Sequence, residues 1–167
     1  VLTTRLMYAK NKVQSKEKVV NEMKSYQTTK LEMYTNKGQN KEASLAYALC
    51  GEIRKHGNLP FNQGSDIPEF HMSVKSAKAS LCQGRFYKTS EKATMIEEFF
   101  NAVASEVFAF VTDDYTVYEM SKVEFREFVE IFAGMSRESA RNGGYRKIQI
   151  YAESKRMLAW LEDYANR

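Results

Sequence analysis

The chain has 167 residues, of which 43% are hydrophobic and 13% aromatic, enough for the core of one domain and too many for a wholly disordered chain. Its 25 Lys and Arg residues exceed its 21 Asp and Glu residues, and the net charge of +4 permits a nucleic-acid partner without requiring one. No apolar run is long enough for a membrane span, and no signal-peptide pattern is present. Two cysteines cannot build a disulfide framework. We therefore expect a cytoplasmic protein with reduced thiols.

The first third of the chain predicts two helices. The spacing of apolar residues favours a helix over residues 12–26. A second helix is predicted over residues 40–56, with Asn40 as its N-cap and Gly57 at its C-terminal stop. The buried stripe of this second helix should consist of Leu45, Leu49 and Ile53.

The middle of the chain changes to a strand pattern. Alternating polarity over residues 66–81 predicts a hairpin with a tight turn near Pro68. The continuous apolar run 107–112 predicts a central strand that is buried on both faces. A second strand is expected over residues 116–120, with two aspartates in the turn between the strands.

Two capping-box patterns indicate further helices in the second half of the chain. Thr94 with Glu97 predicts the start of one helix, and Ser121 with Glu124 predicts the start of another. A short strand over residues 147–151 and a closing helix complete the order of elements.

This order predicts a single α/β domain over residues 1–167, with a mixed central β-sheet flanked by helices. We divide the domain into an N-terminal helical extension, 1–36, a core, 37–132, and a C-terminal strand and helix, 133–167.

Three polar residues in the predicted hairpin form the pattern most indicative of chemistry. Asp66 begins the hairpin, and Ser73 and Lys75 project to the same face of the second strand. A tight hairpin brings Asp66 beside them. A carboxylate, a second oxygen ligand and a lysine that converge in this way suit phosphodiester hydrolysis, because Mg²⁺ prefers oxygen ligands and the lysine can orient the attacking water.

These residues resemble the motif of the PD-(D/E)XK, or restriction-endonuclease-like, nuclease superfamily. Residues 37–42 are similar to the first-helix pattern of archaeal Holliday-junction resolvases of this superfamily, in which a helix Glu reaches toward the metal site. Glu42 suits that role, because at 100° per residue it lies in the middle of the predicted buried stripe. Glu52 lies at the edge of the stripe and is the second choice.

The chain departs from the motif at one position, because Ser73 stands where the superfamily usually has its second acid. A further carboxylate would then come from Glu42, Glu69 or Glu91. On this interpretation, substitution of Ser73 by Glu would restore the usual acid.

The resemblance implies a restriction-endonuclease-like core and a Mg²⁺-dependent DNA endonuclease of the type II restriction, nicking or resolvase-like kind, with Mn²⁺ as a substitute metal. Its substrate would be double-stranded DNA, and a homodimer or a partner subunit is expected if both strands are cut. The implied catalytic residues are Asp66, Ser73, Lys75 and Glu42. The candidate metal ligands are Asp66, Glu42, Glu52 and Glu69.

Basic residues near this motif and in the C-terminal part form a candidate DNA-binding rim. They are Lys78, Arg85, Lys88, Arg137, Arg141, Arg146 and Lys147. The same charges are equally typical of a solvated surface. The alternative function is a non-catalytic nucleic-acid-binding domain, or a phage-encoded domain that inhibits a host protein, and the missing second acid favours this alternative.

Overall fold

The computed structural model describes residues 23–54, 65–84, 91–135 and 146–167. The strands in these ranges are β1 (Lys24–Gln27), β2 (Met72–Lys75), β3 (Ser80–Gly84), β4 (Val107–Val111), β5 (Thr116–Ser121), β6 (Ala133–Met135) and β7 (Arg146–Ile150). The helices are α1 (Lys37–Cys50), α2 (Lys92–Ala102), α3 (Lys122–Phe132) and α4 (Lys155–Ala165). None of these four helices is long and apolar enough to cross a membrane.

The described strands form two sheets. The larger sheet has the order β1-β5-β4-β2, in which β2 runs parallel to β4 and the other pairs are antiparallel. The smaller sheet has the order β3-β7-β6 and is antiparallel throughout. The predicted α/β class and mixed sheet are confirmed. The second sheet was not predicted, because β6 has only three residues and gives no alternation to detect.

β4 is one of the two internal strands of the larger sheet and is buried on both faces, as predicted. Phe108 and Phe110 pack into one core with α2, α3 and α4, where the rings of Phe108 and Phe125 stack at 4.4 Å. Ala109 and Val111 point to the opposite face and pack into a second core with α1. The sheet therefore separates α1 from the other helices, because successive side chains of a strand alternate between its faces.

The predicted turn near Pro68 is present next to β2, which lies at one edge of the larger sheet. The predicted hairpin over residues 66–81 is wrong, because β2 pairs in parallel with β4 and β3 belongs to the smaller sheet. Ile67 and Met72 pair as an antiparallel bridge around the 3-10 turn Pro68–Phe70. This turn brings Asp66 back alongside β2, where its Oδ2 accepts the backbone N–H of Val74 at 2.7 Å.

α1 begins earlier and ends earlier than the sequence predicts. Asn36, and not Asn40, is the N-cap, and its side chain accepts the N–H of Gln39 at 3.0 Å. Gly51 ends the helix in the left-handed conformation, whereas Gly57 lies outside the described residues. Ile53 is beyond the helix and exposed, so it does not belong to the buried stripe.

Asn40 lies inside α1, and its side chain binds the backbone of the segment that precedes the helix. Its Oδ1 accepts the N–H groups of Met33 and Tyr34 at 2.8 and 2.6 Å, and its Nδ2 donates to the carbonyl of Tyr34 at 2.7 Å. In the sequence, such a buried asparagine resembles an N-cap, but its hydrogen bonds go to the backbone of the preceding loop and not to the first turn of the helix.

The prediction of a helix over residues 12–26 is wrong at its end, because Lys24–Gln27 forms β1 and pairs with β5. Residues 12–22 lie outside the described residues. The pairing that decides this segment joins Lys24 to Glu119, far along the chain, so local helical spacing could not reveal it.

The two predicted capping boxes have different outcomes. At α3, the side chain of Ser121 accepts the N–H of Glu124 at 3.2 Å and the side chain of Glu124 accepts the N–H of Ser121 at 2.7 Å, so the prediction is confirmed. At α2, the N-cap is Glu91 without a side-chain cap, and Thr94 lies within the helix, so that prediction is wrong.

Candidate functional site

A cavity of about 650 Å³ lies between the first turns of α1, the end of β2 and the turn after β4. Charged residues dominate its lining, with four acids and four lysines in the described part of the chain. The acids are Glu42, Asp66, Asp113 and Glu153. The lysines are Lys37, Lys41, Lys75 and Lys78.

Three of the four residues that the motif singled out line this cavity: Glu42, Asp66 and Lys75. They come from separate segments, namely α1, the turn before β2 and the end of β2. The hydrogen bond from Val74 fixes the carboxylate of Asp66 beside β2, at the edge of the larger sheet. Lys75 is half-buried, and in the described part of the chain its ammonium group forms no hydrogen bond or ion pair.

The structure does not bring Ser73 to the cavity. Ser73 is 5% exposed, and its hydroxyl shares a hydrogen bond with Ser105 at 2.5 Å. Ser105 shares another with Ser65 at 2.8 Å. A buried hydroxyl needs a partner, and these three side chains provide partners for one another.

Glu52 and Glu69 also lie away from the cavity lining. Both pair with Arg54, whose guanidinium donates to Glu52 Oε1 at 2.8 Å and to Glu69. The hydrogen bond from Arg54 lowers the pKa of Glu69 to about 2. Glu91, the remaining candidate, is the exposed N-cap of α2. These acids are therefore committed elsewhere in the fold.

The donors at the predicted metal site are the two carboxylates of Glu42 and Asp66. No three His, Cys, Asp or Glu side chains form a group suited to a metal ion within residues 23–54, 65–84, 91–135 and 146–167. Mg²⁺ usually takes only one or two carboxylates and keeps several waters or substrate oxygens. In type and number, two carboxylates match the protein ligands that Mg²⁺ usually takes.

The sequence did not single out the ion pair that forms the cavity wall beside Glu42. The side chain of Lys41 is 6% exposed, and its ammonium lies 2.6 Å from Oδ1 of Asp113. Lys41 thereby lowers the pKa of Asp113. The N–H of Asp113 donates to Glu153 Oε2 at 2.9 Å, and burial raises the pKa of the Glu153 carboxyl. The sequence contained one sign that Lys41 is buried: it lies one helical turn before Leu45, on the apolar stripe of the helix.

The two aspartates after β4 also form the predicted turn. The carboxylate of Asp114 accepts the hydroxyl of Thr112 and the N–H of Thr116, the latter at 3.2 Å. Asp114 therefore closes the turn, whereas its neighbour Asp113 faces the cavity.

The predicted DNA-binding rim is described only in part. Lys78 lines the cavity and is exposed. Arg146 and Lys147 belong to β7, but their side chains are not described. The remaining predicted contacts lie outside the described residues, namely Arg85, Lys88, Arg137 and Arg141.

Comparison of the chain with protein-family models, with curated proteins and with solved structures finds no match. The resemblance to PD-(D/E)XK nucleases therefore depends on the residues of this chain, and the restriction-endonuclease-like core stays a prediction.

Proposed function

We propose that the chain is a Mg²⁺-dependent endonuclease with a restriction-endonuclease-like core that hydrolyses phosphodiester bonds in double-stranded DNA. One observation carries this proposal: Glu42, Asp66 and Lys75 line a single cavity, although they come from three separate segments. The sequence analysis selected these three residues together with Ser73, and it chose Glu42 among several carboxylates from the resemblance to resolvases and from its position on the helix. Agreement between a motif and a cavity is a stronger basis than either one separately.

Each of the three residues has a role that follows from its surroundings. Asp66 and Glu42 provide the carboxylates for the metal, and Asp66 is fixed by the backbone N–H of Val74. Mg²⁺, when bound, stabilises negative charge on the phosphate and lowers the pKa of water. Lys75 donates hydrogen bonds from its ammonium group to the attacking water or to a phosphate oxygen, and no carboxylate of the described residues neutralises it.

A non-catalytic nucleic-acid-binding domain is the second candidate. The position of Ser73 favours it, because the hydroxyl at the place of the usual second acid is buried against Ser105. In that case the lysines of the cavity would contact phosphates without a cleavage step. The inhibitor of a host protein stays a prediction.

A plasmid-nicking assay tests the proposal. Supercoiled plasmid is incubated with the wild-type protein and either Mg²⁺, Mn²⁺ or EDTA, and nicked and linear products are measured on a gel. We expect cleavage with either metal and none with EDTA. Asp66→Asn should reduce the rate by at least ~10²-fold, the usual scale for the loss of a positioned catalytic group.

Glu52→Gln is the matched control, because Glu52 comes directly after α1, is exposed and pairs with Arg54 away from the cavity. Its cleavage rate should equal that of the wild type. Absence of cleavage under every metal condition would favour the binding domain, and equal rates for wild type and Asp66→Asn would remove Asp66 from the site.

A further inference from the structure

The end of the cavity formed by the first turn of α1 has hydrogen-bond donors without acceptors. The side chain and carbonyl of Asn36 accept the N–H groups of Gln39 and Asn40 at 3.0 and 3.2 Å. The N–H groups of Lys37 and Gly38 have no acceptor in the described part of the chain. Free N–H groups at the start of a helix carry partial positive charge and attract anions.

Ser76 adds an independent donor at the same place. It is 7% exposed and lines the cavity, yet its hydroxyl forms no hydrogen bond within the described residues. The hydroxyl lies 3.3 Å from the position that a Cβ on Gly38 would occupy, so it faces the first turn of α1. Ser76 is therefore more than nine-tenths buried, and its unpartnered hydroxyl keeps access to the cavity, where it can donate to the acceptor oxygens of a ligand.

Two lysines at this end of the cavity are available to an anion. Lys37 and Lys78 are exposed at the rim, and neither forms an ion pair in the described part of the chain. The nearby carboxylate of Asp113 is paired with Lys41. The geometry points to a phosphate-binding site formed by the N–H groups of Lys37 and Gly38, the hydroxyl of Ser76 and the ammonium groups of Lys37 and Lys78.

The donors of this site include neither the carboxylates nor Lys75, so its test does not depend on the proposed cleavage. The phosphate belongs either to a nucleic-acid strand or to a small molecule, and both present the same oxygens.

The test is a titration of the isotope-labelled chain with inorganic phosphate, in EDTA and at constant ionic strength, followed by amide chemical shifts. We expect saturable shifts of the Lys37 and Gly38 amides. Ser76→Ala should weaken phosphate binding by about tenfold, the usual effect of losing one hydrogen bond to a charged group. Its stability should stay unchanged, because no internal hydrogen bond is lost.

Ser65→Ala is the matched control, since Ser65 is a buried serine whose hydroxyl is committed to Ser105. It should lower stability and leave phosphate affinity unchanged. Shifts that do not saturate, shifts of equal size at the Lys92 and Ala93 amides at the start of α2, or unchanged affinity in Ser76→Ala would each overturn the site.

A second arm identifies the source of the phosphate. An unphosphorylated DNA duplex that displaces inorganic phosphate from the Lys37 and Gly38 amides supports a strand phosphate. A duplex that leaves these amides unchanged, while phosphate still binds, supports a small phosphorylated ligand. Cleavage of plasmid is measured separately, so failure of the phosphate site and failure of the proposed nuclease are distinguishable.

Discussion

Ser73 and Lys75 lie two residues apart on β2 and have different surroundings. Ser73 is buried among other serines, whereas Lys75 reaches the cavity at the end of the strand. Strand alternation correctly predicts a shared face of the sheet, but it does not show how far along that face the cavity extends. The spacing of a sequence motif therefore does not show which of its residues line a cavity, and the folded structure is needed to distinguish them.

This difference reverses the expected effect of substituting Ser73 by Glu. A carboxylate at a position that is 5% exposed would lose hydration and displace the hydrogen bond to Ser105. We predict that Ser73→Glu lowers the free energy of unfolding by about 2–3 kcal/mol and does not raise metal affinity. Urea denaturation and calorimetric titration with Mn²⁺ measure the two effects.

Ser25→Glu serves as the control, because Ser25 is an exposed serine of β1 and its substitution should leave stability nearly unchanged. A stable Ser73→Glu variant with tighter Mn²⁺ binding would show instead that position 73 faces the metal.

α1 is the element that organises the cavity. It contributes Glu42 and Lys41, and its first turn provides the N–H groups of Lys37 and Gly38. The buried side chains of Asn40 and Ser44 hold the segment before the helix by accepting N–H groups from it. The orientation of α1 therefore depends on polar contacts as well as on its apolar stripe.

The ion pair between Lys41 and Asp113 connects α1 to the turn after β4. Asp113→Asn would leave the ammonium of Lys41, 6% exposed, with a neutral partner. We predict a loss of about 1–3 kcal/mol in the free energy of unfolding at pH 7, less than for a fully buried pair because Asp113 is largely exposed. Urea denaturation provides the measurement.

The pH dependence of this contribution has a definite sign. Lys41 lowers the pKa of Asp113 from its ordinary value of 3.8, so the pair stabilises the fold above that value and loses its effect as the pH falls below it. Asp163→Asn, which removes an exposed pair with Arg167, should change stability by less than ~0.5 kcal/mol. An Asp113→Asn variant as stable as the wild type at pH 7 would contradict the proposed role of Lys41.

The elements that the sequence predicts best are those whose signal is local. The apolar run of β4 and the reciprocal hydrogen bonds of Ser121 and Glu124 need only a few consecutive residues. β1 and the three-residue β6 depend on partners far along the chain, so their own residues carry little signal. The predicted start of α1 was wrong because Asn40, whose side chain binds the preceding loop, was interpreted as the N-cap.

At the scale of the whole molecule, the larger sheet separates two cores. One core joins α2, α3 and α4 to the smaller sheet, and the other joins α1 to β2 and the Ile67–Met72 bridge. The cavity lies where the first turns of α1 meet the ends of β2 and β4. The motif spacing identified Asp66 and Lys75, and the resemblance to resolvases identified Glu42. Lys41, Ser76 and Glu153 became evident only from the packing of distant segments.

If the residues of this cavity cleave DNA, Lys75→Ala should separate cleavage from binding. Plasmid nicking with Mg²⁺ and duplex binding in EDTA are measured on the same preparation, with Lys30→Ala, a surface lysine paired with Glu32, as the control. We predict that Lys75→Ala reduces cleavage by at least ~10²-fold and binding far less, because each lysine is only one of several phosphate contacts. Loss of binding in Lys75→Ala without cleavage by the wild type would contradict the proposed cleavage and make Lys75 a phosphate contact alone.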